Sequence, residues 1–209
     1  MSAPTPYRPH RLLLHACCGP CLLEPLDALA AEADSVVIAF ANPNIHPAEE
    51  YERRRDTLLG YAAGAGVDVV ELPYDPGAWE EAVAPLAEKG VERCRACYRL
   101  RLGMAARMAA EGGYDALATT LSVSPYQDQA AINEEGRRAA CEAGVEWLDR
   151  DFRDRYRDAT VRSRELGMYR QNYCGCVFSQ AEAEAQRQAR RDARAAEKAA
   201  RSSQSPRRA

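Results

Sequence analysis

The chain has 209 residues and a mass of 23.1 kDa, the size of one domain with short tails. Hydrophobic residues make up 46% and charged residues 28%, enough apolar side chain for a core, which excludes a wholly disordered chain. The net charge of −3 divides into +4 over Gln180–Ala209 and −7 over the rest, so an acidic body carries a basic tail.

In chain order, residues 1–10 hold three prolines and read as an unstructured lead-in. Arg11–His15 (RLLLH) is a buried-strand candidate, followed by a Gly-Pro turn and an apolar helix over about Leu22–Ala33. Ser35–Ala41 is the next strand, ended by the Asn42-Pro43-Asn44 turn, and Pro47 to about Gly64 reads as a helix. Val67–Leu72 is a third strand, with helices at about Ala78–Lys89 and Cys97–Glu111 after it. Ala116–Leu121 is a fourth strand and Val145–Leu148 a shorter fifth, with Cys141 on a helix between them. Strand–helix alternation implies parallel strands joined by helical crossovers. The expected fold is therefore an open three-layer α/β sheet, mostly parallel and Rossmann-like, over a domain of residues 11–179. Gln180–Ala209, rich in Ala, Arg, Glu and Gln, reads as a solvated helix that frays into disorder.

No run approaches the roughly 18 apolar residues of a membrane span, and no signal peptide is read at the start, so a cytoplasmic protein is expected. Eight cysteines in that compartment point to metal ligands or redox groups rather than structural disulfides. Seven fall in three clusters: Cys17, Cys18 and Cys21 in HACCGPC, Cys94 and Cys97 in CRAC, and Cys174 and Cys176 in YCGCVFS. Cys141 stands apart and is expected to fill core. His15–Cys21 lies just past the first strand and Thr119–Tyr126 just past the fourth, both at the strand carboxyl ends where open α/β sheets bind ligands.

Convergent thiolates repel one another and need a cation, and zinc and iron–sulfur clusters both accept four cysteines. Neighbouring side chains diverge, so the Cys17–Cys18 pair suits the separated corners of a cubane better than a single zinc ion. Redox thiols remain a third reading, because Cys18-Gly19-Pro20-Cys21 resembles a thioredoxin active site at a strand–helix junction. In Cys174-Gly175-Cys176 a disulfide would close a very small ring, strained and easily reduced, and glycine supplies the backbone freedom it needs.

Six ordered segments carry a family resemblance: HACCGPC, ANPNIHPAEEYERR, CRACYRLRL, ATTLSVSPYQDQAAI, DFRDRY and ELGMYRQNYCGCVFS. Together they resemble the cobalamin-independent epoxyqueuosine reductase family (QueH), over about His15–Ser179. The resemblance implies a fold of the nucleotide alpha-hydrolase-like kind with a metal site at the strand carboxyl ends. It also implies an oxidoreductase of queuosine biosynthesis and tRNA processing that removes the epoxide oxygen of epoxyqueuosine at the wobble position of tRNA, the last step of that pathway. Carried over by position, it makes Cys17, Cys18, Cys94 and Cys97 the ligands of a 4Fe-4S cluster and Cys174 and Cys176 a redox-active disulfide. An additional adjacent iron is implied too, with Cys21 and His15 as candidate ligands, and an unidentified electron donor completes the partners. Gly19 departs from the family pattern, where alanine is common.

Several further residues carry more than one reading. Tyr126, Asp128, Tyr169 and Tyr173 are candidate proton donors. Arg150–Arg170 holds seven arginines against four acids, interleaved with Phe152, Tyr156 and Tyr169, and reads either as a tRNA-binding face or as a solvated amphipathic helix. His46 reads as a cap or a ligand, and Arg53, Arg54 and Arg55 as a helix's solvated face. Thr119, Thr120, Ser122 and Ser124 suit either a ligand's hydroxyls or a turn. Too few glycines follow Gly19-Pro20 for a phosphate-binding loop. The competing functions are a thioredoxin-like thiol–disulfide oxidoreductase and a zinc-binding RNA-interaction module.

Overall fold

The computed structural model describes residues 7–204, with side chains described to residue 197; the start of the expected lead-in and the last five residues lie outside the described residues. The chain divides into two compact units, residues 1–170 and residues 171–209.

The first unit is built on a five-stranded parallel sheet of order β3-β2-β1-β4-β5. β1 (Arg11–His15) lies at its centre, paired with β2 (Ser35–Phe40) on one side and β4 (Ala116–Thr119) on the other. β3 (Val69–Glu71) and β5 (Glu146–Trp147) form the edges. RLLLH carries no polar alternation because both of its faces are covered, as expected of a central parallel strand. Leu12 and Leu14 pack with Ile38, Phe40 and Ala118 on one face. Leu13 packs with Ala39, Leu117 and Ile132 on the other. Helices α1 (Gly19–Glu32) and α2 (Ala48–Ala65) supply the first layer, and α4 (Gly90–Glu111) and α5 (Gln129–Ala143) the other. The three-layer Rossmann-like architecture is thus present, and the sheet is parallel throughout.

Helix boundaries follow local chemistry. α1 begins at Gly19 rather than Leu22, with Pro20 in its first turn, where a missing N–H costs nothing. The expected helix over Ala78–Lys89 is α3 (Pro76–Val83), capped by Asp75, then a short 3₁₀ turn at Ala84–Leu86, because Pro85 cannot continue an α-helix. α4 starts seven residues before the expected Cys97, which places Cys94 and Cys97 one turn apart on a single helix face. β4 stops at Thr119 and a 3₁₀ turn follows at Thr120–Val123. α6 (Tyr156–Glu165) packs on α1, where Arg162 meets Asp27 and Glu24. Residues 7–10 are not loose: Arg8 binds Asp34 and the Ala31 and Ala33 carbonyls, and the His10 N–H donates to Asp115.

The second unit carries Cys174-Gly175-Cys176 and then α7 (Val177–Gln204), a helix exposed along nearly all of its described length. Among the described residues, no helix is long and apolar enough to cross a membrane.

Candidate active site

From β1 the chain proceeds through β2 and β3 to one edge, then returns to the other side of β1 for β4 and β5. The carboxyl ends of β1 and β4 therefore flank the switch point, the usual ligand crevice of an open α/β sheet. His15 closes this junction. Its Nδ1 lies 2.8 Å from Thr119 Oγ1 and its Nε2 3.2 Å from the Ala41 carbonyl. A carbonyl can only accept, so Nε2 carries the proton and Nδ1 accepts from the Thr119 hydroxyl, which itself accepts from the Leu121 N–H at 3.2 Å. Burial and the neighbouring Arg101 cation hold the His15 pKa down to about 3. His15 is a neutral strut with both nitrogens engaged by Thr119 and Ala41, and it is not among the grouped metal-ligand candidates.

Two residues on, the sulfurs of Cys17, Cys18 and Cys21 all lie within 4.8 Å of one another, a group that could hold a metal ion. Cys18 is the N-cap of α1 in extended conformation and Cys21 sits in its first turn, so the α1 N-terminus faces the sulfurs and favours negative charge there. Pro25 has no N–H for the Cys21 carbonyl, which frees that backbone oxygen from the helix ladder. The Cys17 and Cys18 sulfurs are 3.8 Å apart, and the Thr120 hydroxyl contacts Cys17 Sγ at 3.7 Å. Hydrogen bonds from Cys18 and Cys21 lower the Cys17 pKa; burial first, then the neighbouring Cys17, pushes Cys18 up to about 12, and hydrogen bonds with Cys17 and Cys18 raise Cys21. Within the trio Cys17 is thus the thiol whose ionisation its neighbours favour most.

Two buried arginines border these sulfurs. Arg54 on α2 is 1% exposed, pairs with Glu50 at 2.7 Å and lies within electrostatic reach of Cys18 and Cys17. Arg101 on α4 is 4% exposed, donates to Asn42 Oδ1 at 2.6 Å and lies close enough to affect Cys17 and His15. Sequence reasoning missed both. The RRR triplet reads as a solvated face, yet Arg54 falls one turn after Glu50 on the buried side of α2; Arg101 falls one turn after Cys97, the available signal.

Cys94 and Cys97 reach this edge from α4, a crossover helix running antiparallel to the strands, whose N-terminal turns lie at the carboxyl end of the sheet. Cys97 is buried, and Cys94 and Cys17 pack against the same core cluster. Neither Cys94 nor Cys97 belongs to the 4.8 Å sulfur group, and Cys21 does. Cys141 is exposed on α5 rather than core, since its neighbours Ala139 and Ala140 take the buried face. In the second unit the Cys174 and Cys176 sulfurs are 3.8 Å apart across Gly175, whose φ of 130° suits glycine alone. Hydrogen bonding to Cys174 and burial push the Cys176 thiol up.

The donor set fits a sulfur-ligated metal group. It consists of soft thiols, with two buried guanidinium groups nearby to offset thiolate charge. That chemistry accommodates zinc or an iron–sulfur cluster.

The other candidates sort clearly. Asp128 is the N-cap of α5, accepting from the Ala131 N–H at 3.0 Å. Tyr169 donates to Glu50 at 2.6 Å, under the Arg53 guanidinium. Thr119, Thr120, Ser122 and Ser124 build the turn after β4. His46 bonds the Asn44 carbonyl and packs its ring 5.1 Å from Trp79. Within Arg150–Arg170, Phe152 is buried, and Arg150, Arg153 and Arg162 are paired with Glu32, Asp151 and Asp27. A Cβ at Gly19 would fall 2.7 Å from the flexible Met168 Cε and 3.0 Å from Thr57, so the family's alanine needs slightly more room here.

The sequence profile described as Epoxyqueuosine reductase QueH matches residues 12–182. The chain is 36% identical over 181 residues to a protein named Epoxyqueuosine reductase QueH from Staphylococcus aureus, covering 81% of this chain and 75% of that one. It is 35% identical over 178 residues to one of the same name from Streptococcus pyogenes, covering 80% and 69%. Among solved structures, a chain described as a predicted subunit of tRNA methyltransferase from Methanocaldococcus jannaschii is similar, with TM-score 0.47 and 12% identity over 74% of this chain and 75% of that one. With a thiol cluster at the switch point and this match across the domain, the chain is an oxidoreductase and belongs to the epoxyqueuosine reductase QueH family.

Proposed function

We propose that the protein converts epoxyqueuosine to queuosine at the wobble position of tRNA, in the cytoplasm, as the last step of queuosine biosynthesis. The observation that carries this reading is the convergence of Cys17, Cys18 and Cys21 at the β1–β4 switch point in a chain of this family. Removing the epoxide oxygen breaks two C–O bonds, forms a C=C bond, consumes two electrons and two protons, and releases water.

Cys17, Cys18, Cys94 and Cys97 would hold a 4Fe-4S cluster, with Cys21 as a ligand for an adjacent iron. Such a group supplies single electrons and a Lewis-acidic site for the oxygen. Cys17 reaches the ligating thiolate state most easily, since its neighbours lower its pKa while burial and coupling raise those of Cys18 and Cys21. Arg54 and Arg101 offset the charge of the thiolates without competing as ligands. The Cys174–Cys176 dithiol would give up two electrons and two protons as it closes to a disulfide, matching the stoichiometry of one deoxygenation. An external donor then reopens it.

Against the thioredoxin-like alternative stand the all-parallel sheet and the match to the QueH family model. The zinc module for RNA differs in having no redox chemistry. Anaerobic reconstitution with iron and sulfide, followed by mass analysis of nucleosides from epoxyqueuosine-containing tRNA, tests the proposal. Queuosine should appear with a dithionite-bleachable absorption band; a colourless zinc protein that leaves epoxyqueuosine untouched would overturn it.

A further inference from the structure

The Tyr126 ring is 79% exposed, an unusual setting for an aromatic on a well-built loop. Its backbone is pinned: the Tyr126 N–H donates to Ser124 Oγ at 3.3 Å and the Gln127 N–H to the Ser124 carbonyl at 3.2 Å. The Tyr98 hydroxyl, on the residue after Cys97, donates to Gln127 Oε1 at 2.6 Å and latches the loop to the cysteine-bearing turn of α4. Asp128 then caps α5. A rigid loop at the carboxyl edge of the sheet therefore holds an aromatic face toward solvent.

Tyr126 also has an aromatic neighbour. Its ring meets Tyr156 edge-on, with centroids 6.1 Å apart and planes at 85°. Tyr156 opens α6, which packs on α1, the helix that carries Cys21. Tyr126 and Tyr156 thus form an aromatic pair next to the helix that carries Cys21. Arg155 and Arg157 flank Tyr156 in sequence, are both exposed, and have no carboxylate partner among the described residues. An exposed aromatic face, with exposed guanidinium groups on the residues flanking its ring neighbour, is the kind of surface that grips single-stranded nucleic acid: bases stack while phosphates pair with arginine.

We propose that Tyr126 is a substrate-binding residue whose ring stacks on a nucleobase of the tRNA anticodon loop, with Arg155 and Arg157 on the adjoining phosphates. The inference rests on the tRNA reading above and adds to it the residue that seats the loop. It also reassigns Tyr126 from proton donor to stacking platform, which makes its hydroxyl dispensable.

The test uses iron-reconstituted protein and epoxyqueuosine-containing tRNA, comparing wild type, Tyr126→Ala and Tyr126→Phe. Affinity is read by anisotropy of labelled tRNA, turnover by nucleoside mass analysis, and iron content on the same samples. Tyr126→Ala should weaken tRNA binding by about fivefold to hundredfold with iron content unchanged, and Tyr126→Phe should match wild type within about twofold in both readouts. Wild-type affinity in Tyr126→Ala, while the wild type still converts tRNA, would overturn the stacking role and leave the functional reading standing. A Phe variant with normal affinity but a collapsed kcat would also overturn it, by making the hydroxyl the proton donor. Failure of wild type itself to bind tRNA would instead sink the reading on which the inference rests.

Discussion

Replacing Arg54 with methionine should destabilise the metal-free protein by about 3–5 kcal/mol, because it strands the Glu50 carboxylate in the interior. The two side chains are 1% and 8% exposed and meet at 2.7 Å, so water cannot take over when the guanidinium is removed. Tyr169 still donates to Glu50, but one phenol hydrogen bond recovers only about 1 kcal/mol. At about 2–4 °C per kcal/mol for a domain of this size, the melting temperature should fall by roughly 6–20 °C. Arg54→Met combined with Glu50→Met removes both charges, keeps the volume filled, and should regain most of the loss, to within about 2 kcal/mol of wild type. Urea unfolding of the metal-free variants at neutral pH measures all three free energies. An Arg54→Met cost below about 1 kcal/mol, or a double variant no more stable than the single, would refute the argument from burial. The double variant then separates scaffold from site: it should fold like the wild type although the cation near Cys18 is gone.

Other expected outcomes follow from the same geometry. Cys94→Ser and Cys97→Ser should lose iron on reconstitution while Cys141→Ser, exposed on α5, retains wild-type stoichiometry; elemental analysis decides, and full iron in either of the first two would remove α4 from the ligand set. Asn44→Leu deletes two buried polar atoms that lack partners and should leave the metal-free fold as stable or stabilise it by about 1 kcal/mol, read by urea unfolding. A clear loss of stability in that variant would show the amide to be structural. Arg155→Ala with Arg157→Ala should reduce the slope of log affinity for tRNA against log salt by about 1.4, if each guanidinium meets one phosphate. An unchanged slope would take those two arginines off the RNA surface.

Much of this architecture is legible in the chain because it depends on local pattern. RLLLH has no alternation, so it reads as a strand covered on both faces, and alternating Leu12, Leu13 and Leu14 do pack into opposite layers. Convergence of HACCGPC and the turn after β4 follows from placing both at strand carboxyl ends. Less legible are features decided by partners far away in sequence. Lys89-Gly90 looks like an interruption, but glycine is tolerated in a first turn, so α4 begins there and carries both cysteines of CRAC. Arg54 and Arg101 are charged residues that sequence pattern assigns to solvent, and only packing against the β1 and β2 ends reveals why they are buried. His15 looks like a ligand beside cysteines, whereas Thr119 and Ala41, from two other strand ends, occupy both its nitrogens. Phe152 looks available for stacking in its arginine-rich run, yet it belongs to the core, and Tyr126 offers the exposed ring instead.

The central claim is that iron held by these thiols performs the deoxygenation. Metal-free protein should be titrated anaerobically with ferrous iron and sulfide, measuring dithionite-bleachable absorbance and single-turnover queuosine yield on the same samples. Yield should rise in proportion to the bleachable absorbance and vanish when zinc replaces iron; full yield without iron, or with zinc alone, would contradict the account.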